Sequence, residues 1–93
     1  MGGKNFRLQI WFEGHVQGVG FRYKANFIAK GYDVSGFVRN LDDGRVHLLA
    51  CGAEREVREY AAELKRAMAD FIKKAEEYAD FTDLKYKGFT IEL

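Results

Sequence analysis

The sequence predicts an α+β fold in which an antiparallel sheet carries two helices on one face. Three observations lead to this prediction: a strand-like alternation near the N-terminus, a change to helical periodicity after a glycine-rich loop, and a strand–turn–strand pattern in the middle of the chain. The 93 residues are expected to form a single domain, residues 1–93. Because 47% of them are hydrophobic, the chain has enough apolar side chains for a core without disulfides.

The first half of the predicted fold is a strand, a helix and a hairpin. Apolar and polar side chains alternate over residues 6–12, which is the period of a half-buried strand. Apolar side chains then recur at helical spacing over residues 21–30. Strands are predicted over residues 34–40 and 45–51, because the residues between them, which end in Gly44, are typical of a hairpin turn.

The second half is predicted to be a long helix followed by two strands. Helical spacing continues over about residues 53–77, with charged side chains on the solvent side. The fourth strand is expected over residues 79–86 and the last over residues 89–93. An alternative fourth strand over residues 71–78 is less favoured, because nothing near Met68 breaks a helix. The order strand–helix–strand, strand–helix–strand is that of a ferredoxin-like βαββαβ sandwich.

A glycine-rich loop, residues 14–22, separates the first strand from the first helix. Gly14, Gly18 and Gly20 add nothing to a core, and glycine loses more backbone freedom on folding than any other residue. They permit a tight loop whose N–H groups converge at a helix N-terminus, an arrangement that suits an anion. Arg22 falls in the first helical turn, where a cation opposes the helix dipole unless an anion binds beside it. The loop is therefore a candidate phosphate or oxyanion site.

Two stretches of the chain resemble the signatures of the acylphosphatase family. The first reads Gly-His-Val-Gln-Gly-Val-Gly-Phe-Arg over residues 14–22, and the second reads Gly-Phe-Val-Arg-Asn-Leu-Asp-Asp-Gly-Arg-Val over residues 36–46. The resemblance covers roughly residues 6–93 and implies the same ferredoxin-like fold. It also implies that Arg22 binds the substrate phosphate and that Asn40 orients the attacking water. The implied phosphate-binding loop consists of His15, Val16, Gln17, Gly18, Val19, Gly20 and Phe21.

Asn40 has two interpretations. It ends the second strand just before a turn, where asparagine often forms an Asx-turn and has no other role. Alternatively, its carboxamide, which both donates and accepts hydrogen bonds, positions water in the site. We expect strands one and three to lie on either side of strand two, which would place Asn40 on the same side as the glycine loop.

The other polar and aromatic candidates are expected to have minor roles. His15, in the loop, is expected to help attract an anion without acting as a base, and His47 is expected on the surface of a strand. Cys51 lacks an activating neighbour and is interpreted as a structural thiol. Trp11 is the one ring suited to stacking on a ligand, whereas Tyr23 and Phe37 are expected in the core or at the rim of the site.

Composition limits the partners and the location. The net charge of +1 gives no basic surface for a nucleic acid, and no apolar run approaches the roughly 20 residues needed to span a membrane. The histidines and the cysteine are not at metal-ligand spacing, so no metal and no cofactor are expected. The single cysteine fits a reducing compartment, and we expect a cytoplasmic monomer.

The predicted function is hydrolysis of the carboxyl–phosphate bond of a small acyl phosphate, with water as the nucleophile. Inorganic phosphate would be both product and inhibitor. The alternatives are a ferredoxin-like binding module without catalysis, and an acylphosphatase-like domain of a larger carbamoyl-transfer protein. The starting methionine and the completed last strand favour a stand-alone chain. The long second helix departs from the resemblance, because acylphosphatases usually break there with Gly-Pro-Pro or a similar run, whereas this chain has no proline.

Overall fold

The computed structural model describes residues 4–93, which form two helices and one five-stranded sheet. The elements are β1 (Asn5–Gly14), α1 (Phe21–Ala29), β2 (Val34–Asn40), β3 (Val46–Gly52), α2 (Glu54–Ala67), β4 (Ile72–Thr82) and β5 (Phe89–Glu92). The strands lie in the order β4-β1-β3-β2-β5, and both helices cover the same face. The predicted α+β, ferredoxin-like sandwich is therefore confirmed. Neither helix of the described residues is long and apolar enough to cross a membrane.

The core lies between the helices and one face of the sheet. The alternating side chains Phe6, Leu8, Ile10 and Phe12 of β1 are all buried on this face, as the period of two predicts. Full burial of an apolar side chain of this size contributes about 1.5–3 kcal/mol. Tyr60 of α2 is also buried, and its hydroxyl donates to a backbone carbonyl of α1 at 2.8 Å. The two helices are thus fixed to each other as well as to the sheet.

The predicted long helix over residues 53–77 is wrong. The helix α2 ends at Ala67, and the fourth strand is Ile72–Thr82 in place of 79–86, so the less favoured alternative over 71–78 was closer. Lysine and glutamate dominate this stretch and favour a helix locally. However, a longer helix in place of β4 would leave one edge of β1 without a partner strand. The strand β4 pairs with this edge from Asn5–Thr82 to Gly14–Ile72 and satisfies its backbone hydrogen bonds. Pairing in the sheet therefore overrides local helix propensity.

The sheet was predicted to be antiparallel throughout. It is mixed, because β5 pairs in parallel with β2. The strand before it, β4, lies at the opposite edge of the sheet, so residues 83–88 must cross one end of the sheet. Tyr86 contacts Arg7 of β1 along this path, and the Gly88 carbonyl accepts from the N–H of Gly36 in β2 at 3.0 Å. After this crossing β5 runs back towards the other end of the sheet. It therefore brings Glu92 to the end where β1 and β2 also finish.

Candidate functional site

The glycine loop lies between the end of β1 and the start of α1. Val16 and Phe21 are buried, so packing anchors both ends of the loop. Between them, Gly18 and Gly20 both have a φ of 79°, a left-handed conformation that costs an L-residue about 1–2 kcal/mol. A Cβ at either position would meet no atom of residues 4–93 within 4 Å. The two glycines are therefore required by the backbone conformation and not by crowding.

A cleft of about 150 Å³ opens between this loop and the end of β2. Its lining residues are Val16, Gly18, Gly20, Phe21, Arg22, Tyr23 and Asn40. The first hydrogen bond of α1 runs from the N–H of Lys24 to the carbonyl of Gly20 at 3.0 Å. The N–H groups of the helical residues before Lys24 therefore have no acceptor within the helix. Together with the positive end of the helix dipole, they make the cleft favourable for an anion.

Arg22 lies in the first turn of α1 and lines this cleft. Its Nη1 donates to the backbone carbonyl of Glu92 at 3.1 Å, so β5 helps to hold the guanidinium in place. The first turn of α1 contains no acidic residue, and Lys24 adds a second positive charge. The sequence could not predict the contact with Glu92, because a backbone carbonyl leaves no side-chain signal. The result is a fixed cation beside unpaired N–H groups.

Asn40 ends β2 and is exposed at the other side of the cleft. The expected reason for its position is wrong, because β2 lies between β3 and β5 and is separated from β1 by β3. The glycine loop, which continues from β1, must therefore pass the start of β3 to reach the end of β2. The described structure nevertheless brings Arg22 and Asn40 to one cleft, as the two motifs together predict.

Three of the seven residues predicted for the phosphate-binding loop do not line the cleft. The side chain of Val19 is partly buried against the core. The N–H of His15 donates to the carbonyl of Phe71 at 2.9 Å, and the two rings are 6.3 Å apart, so the imidazole lies beside the α2–β4 connection. The carboxamide of Gln17 donates to two carbonyls of the β2–β3 turn. Of the predicted loop, Val16, Gly18, Gly20 and Phe21 line the cleft.

Tyr23 forms the outer rim of the cleft. Tyr23 was expected either in the core or at the rim of the site. Its side chain is 72% exposed and lines the cleft, so it lies at the rim. An exposed aromatic ring at the mouth of a cleft of about 150 Å³ is placed to contact the part of a ligand that extends into solvent. The inner part of the cleft, in contrast, has room and charge for a group the size of a phosphate. The arrangement is suited to a small anion that carries a larger substituent.

The expectation that His47 lies on the surface is wrong, because it is buried on the helix-free face of the sheet. Its ring stacks on Trp11 with centroids 4.7 Å apart and meets Phe37 edge-on. The Nε of Arg39 donates to Nδ1 of His47 at 3.2 Å, so Nε2 carries the hydrogen and donates to Gln9 at 2.8 Å. The pKa of His47 is lowered to about 4, mainly by burial and further by the charge of Arg39.

This depressed pKa predicts that the protein loses stability in mild acid. Unfolding returns the imidazole to its ordinary pKa of about 6.5, so between about pH 6.5 and 4 the unfolded chain binds more protons than the folded one. The free energy of unfolding should therefore decrease as the pH is lowered across this window, by up to about 1.4 kcal/mol per pH unit for one full proton. Urea titrations at several pH values should show that His47→Gln reduces this slope. A His15→Gln variant controls for the loss of an imidazole elsewhere, and an unchanged slope in His47→Gln would contradict the assignment.

Cys51 is a buried free thiol on the same face of the sheet as His47. Burial raises the pKa of its thiol, which disfavours the reactive thiolate. This agrees with the interpretation of Cys51 as a structural residue. Within residues 4–93, no group of three His, Cys, Asp or Glu side chains has a geometry that could hold a metal ion.

Comparison with known proteins agrees with the fold and the motifs. The family model for Acylphosphatase matches residues 8–91. The acylphosphatase of Thermotoga petrophila is 38% identical over 85 residues, which cover 91% of this chain and 94% of that protein. Both the model and this relative span nearly the whole chain.

Solved structures extend the comparison. The crystal structure of acylphosphatase from Bacillus subtilis superposes with a TM-score of 0.84 at 28% identity, covering 95% of this chain and 99% of that chain. The HypF of T. kodakarensis superposes with a TM-score of 0.80 over 94% of this chain but only 12% of its own, and its identity of 24% makes this a likeness of fold alone. With matches that span nearly the whole chain in both sequence and structure, the chain belongs to the acylphosphatase family.

Proposed function

We propose that the chain hydrolyses acyl phosphates in the cleft between the glycine loop and the end of β2, with Arg22 binding the phosphoryl group and Asn40 positioning the attacking water. The observation that carries the proposal is the presence of a guanidinium, unpaired helix N–H groups and a carboxamide in one cleft of about 150 Å³. Family membership supports the reaction type. The roles of the individual residues rest on the chemistry that each can supply.

The reaction needs little beyond these groups. Water attacks phosphorus, the bond between phosphorus and the carboxylate oxygen breaks, and the products are a carboxylate and dihydrogen phosphate, which retains both hydrogens of the water. A carboxylate is a good leaving group, so no general acid is required. Catalysis then depends on placing the phosphoryl group and the water in line, and on donors that stabilise the equatorial oxygens of phosphorus. Arg22 supplies a planar fork of donors for two of these oxygens.

A turnover assay with a synthetic acyl phosphate tests this function. Benzoyl phosphate and acetyl phosphate should both be converted to carboxylate and phosphate, at a rate that a chelator does not change. An RNA-binding measurement on the same preparation is the control for a binding module without catalysis. RNA binding without turnover, or turnover that a chelator removes and a divalent ion restores, would contradict the proposal.

The conformation of Gly18 predicts a separation of activity from stability. In Gly18→Val, a β-branched residue must either adopt a φ near 79° or change the loop, which would move the N–H groups next to it. We expect a loss of about 1–2 kcal/mol of stability and a loss of kcat/KM of more than about tenfold. Gly88→Val is the matched control, because Gly88 also has a positive φ, 65°, with open space around it, but lies in the β4–β5 connection.

Gly88→Val should lose similar stability and keep its specific activity. Melting temperatures and turnover rates of the two variants give this comparison directly. Equal loss of activity in both variants would leave Gly18 with a structural role only.

We also propose that phosphate is a competitive inhibitor and that the protein is a monomer in the cytoplasm. Inhibition follows if product and substrate share the cleft.

Exposed charged side chains on the edge strand β4, including Lys73, Lys74 and Glu76, oppose pairing with a second sheet and so support a monomer. The buried free thiol of Cys51 is compatible with a reducing compartment. Initial rates at several phosphate concentrations and sedimentation at the mass of one chain test the first two proposals.

A further inference from the structure

We propose that Gln17 is a positioning residue that holds Asn40 at the correct distance from the glycine loop; this inference rests on the proposed function of the cleft. The two hydrogens of its Nε2 are both used, one on the carbonyl of Leu41 at 2.8 Å and one on the carbonyl of Arg45 at 2.9 Å. These two hydrogen bonds, which we name the strap, connect the loop to the β2–β3 turn. The carboxamide donor of Gln17 is therefore committed to the turn and is not a donor to phosphate.

The two carbonyls are those that close the turn. The N–H of Leu41 donates to the carbonyl of Arg45 at 2.8 Å, and the N–H of Gly44 donates to the carbonyl of Leu41 at 3.2 Å. Each carbonyl thus accepts one hydrogen bond within the turn and one from Gln17. Asn40 immediately precedes this turn, so the strap fixes the backbone from which its side chain extends.

The strap acts between a well-anchored segment and a weakly anchored one. The loop is held by the buried side chains of Val16 and Phe21 on either side of Gln17. In contrast, the tip of the hairpin, residues 40–45, has no fully buried side chain. Loss of the strap should therefore release the tip and leave the loop in place. The expected consequence is a misplaced Asn40 beside an intact phosphate site.

This geometry predicts that the defect lies in kcat and not in phosphate binding. Gln17→Leu keeps the approximate size of the side chain and removes both donors. We expect kcat to fall about tenfold or more, while the Kd for inorganic phosphate changes less than about threefold. Gln9→Leu is the matched control, because Gln9 also loses a carboxamide that is hydrogen-bonded, here to His47 on the other face of the sheet. That variant should keep the kcat of the wild type.

A double-mutant cycle shows whether Gln17 acts through Asn40. If it does, Gln17→Leu combined with Asn40→Ala should be no slower than Asn40→Ala alone, because the group that the strap positions is already absent. Multiplicative losses in the double variant, or loss of phosphate affinity in Gln17→Leu, would overturn the inference. Normal turnover in Asn40→Ala would contradict the proposed role of Asn40 itself, and the inference with it.

Gln17→Glu provides a second variant with a pH signature. An ionised carboxylate cannot donate to the two carbonyls and is repelled by them, so its pKa should be raised. Protonation restores one of the two donors, and kcat with benzoyl phosphate should rise as the pH is lowered from 7.5 to 5, relative to the Gln17→Leu profile. Parallel pH profiles of the two variants would overturn the inference.

Amide hydrogen exchange provides a readout that does not depend on turnover. Exchange of the N–H groups of Leu41 and Gly44 should be faster in Gln17→Leu than in the wild type, whereas exchange in α1 should not change. This measurement remains decisive even if the chain proves inactive towards the acyl phosphates tested. Unchanged exchange of these N–H groups in the turn would contradict the inference that the strap holds the turn in place.

Discussion

Arg22→Ala is expected to abolish phosphate binding and to lower kcat/KM for an acyl phosphate by at least about a thousandfold. The estimate comes from the effect of an arginine that stabilises a transferring phosphoryl group. Arg22 is the guanidinium that lines the cleft, and Glu92 holds it there through Nη1. Its removal leaves the helix N–H groups alone to bind a dianion. Arg22→Lys should restore little, because an ammonium cannot reproduce the planar fork.

The same variant should not lose stability. A cation in the first turn of a helix is unfavourable, so replacing Arg22 with alanine relieves a repulsion, and the hydrogen bond that it loses to Glu92 is exposed. Lys24→Ala is the matched control, because Lys24 is a second cation in the same turn that is not among the residues lining the cleft. It should have nearly normal turnover. Calorimetric titration with phosphate measures the effect, and wild-type affinity in Arg22→Ala would exclude the cleft as the phosphate site.

Asn40→Ala is expected to fold and to bind phosphate, but to turn over an acyl phosphate at least about a hundredfold more slowly. The magnitude is that of removing one hydrogen bond made in a transition state. The position of Asn40 depends on strand pairing with Val46 and on the strap from Gln17, and neither requires its own side chain. The phosphate site around Arg22 should therefore remain intact. The loss should fall on kcat and leave ground-state affinity nearly unchanged.

A purely structural role for Asn40 predicts a different result. If the side chain only forms an Asx-turn, the alanine variant should have a lower melting temperature and a normal specific rate. Asp42→Ala is the control for a change in the same exposed turn. Melting temperature, phosphate affinity and turnover, measured on both variants, separate the two roles. A folded Asn40→Ala enzyme with nearly normal turnover would remove Asn40 from the mechanism.

The sequence by itself determined those parts of the protein that depend on local chemistry. The alternation in β1, the helical spacing in α1 and the turn before Gly44 each report interactions between near neighbours, and each element is found within two residues of its predicted bounds. The glycines at 18 and 20 predicted a tight loop, in which both have a left-handed backbone. Arg22 at the helix start predicts an anion beside it, and this stays a prediction. The two motifs also contain every residue that lines the cleft except Tyr23.

Only the tertiary structure decided the features that depend on distant pairing. Residues 72–77 have the composition of a helix but form part of β4, because β1 requires a partner along its free edge. The position of β5 beside β2 follows from the crossing of residues 83–88, and it alone brings the carbonyl of Glu92 to Arg22. The burial of His47 depends on rings contributed by β1 and β2. The strap from Gln17 joins residues 24 and 28 positions apart, and no local pattern encodes a contact between a side chain and a distant carbonyl.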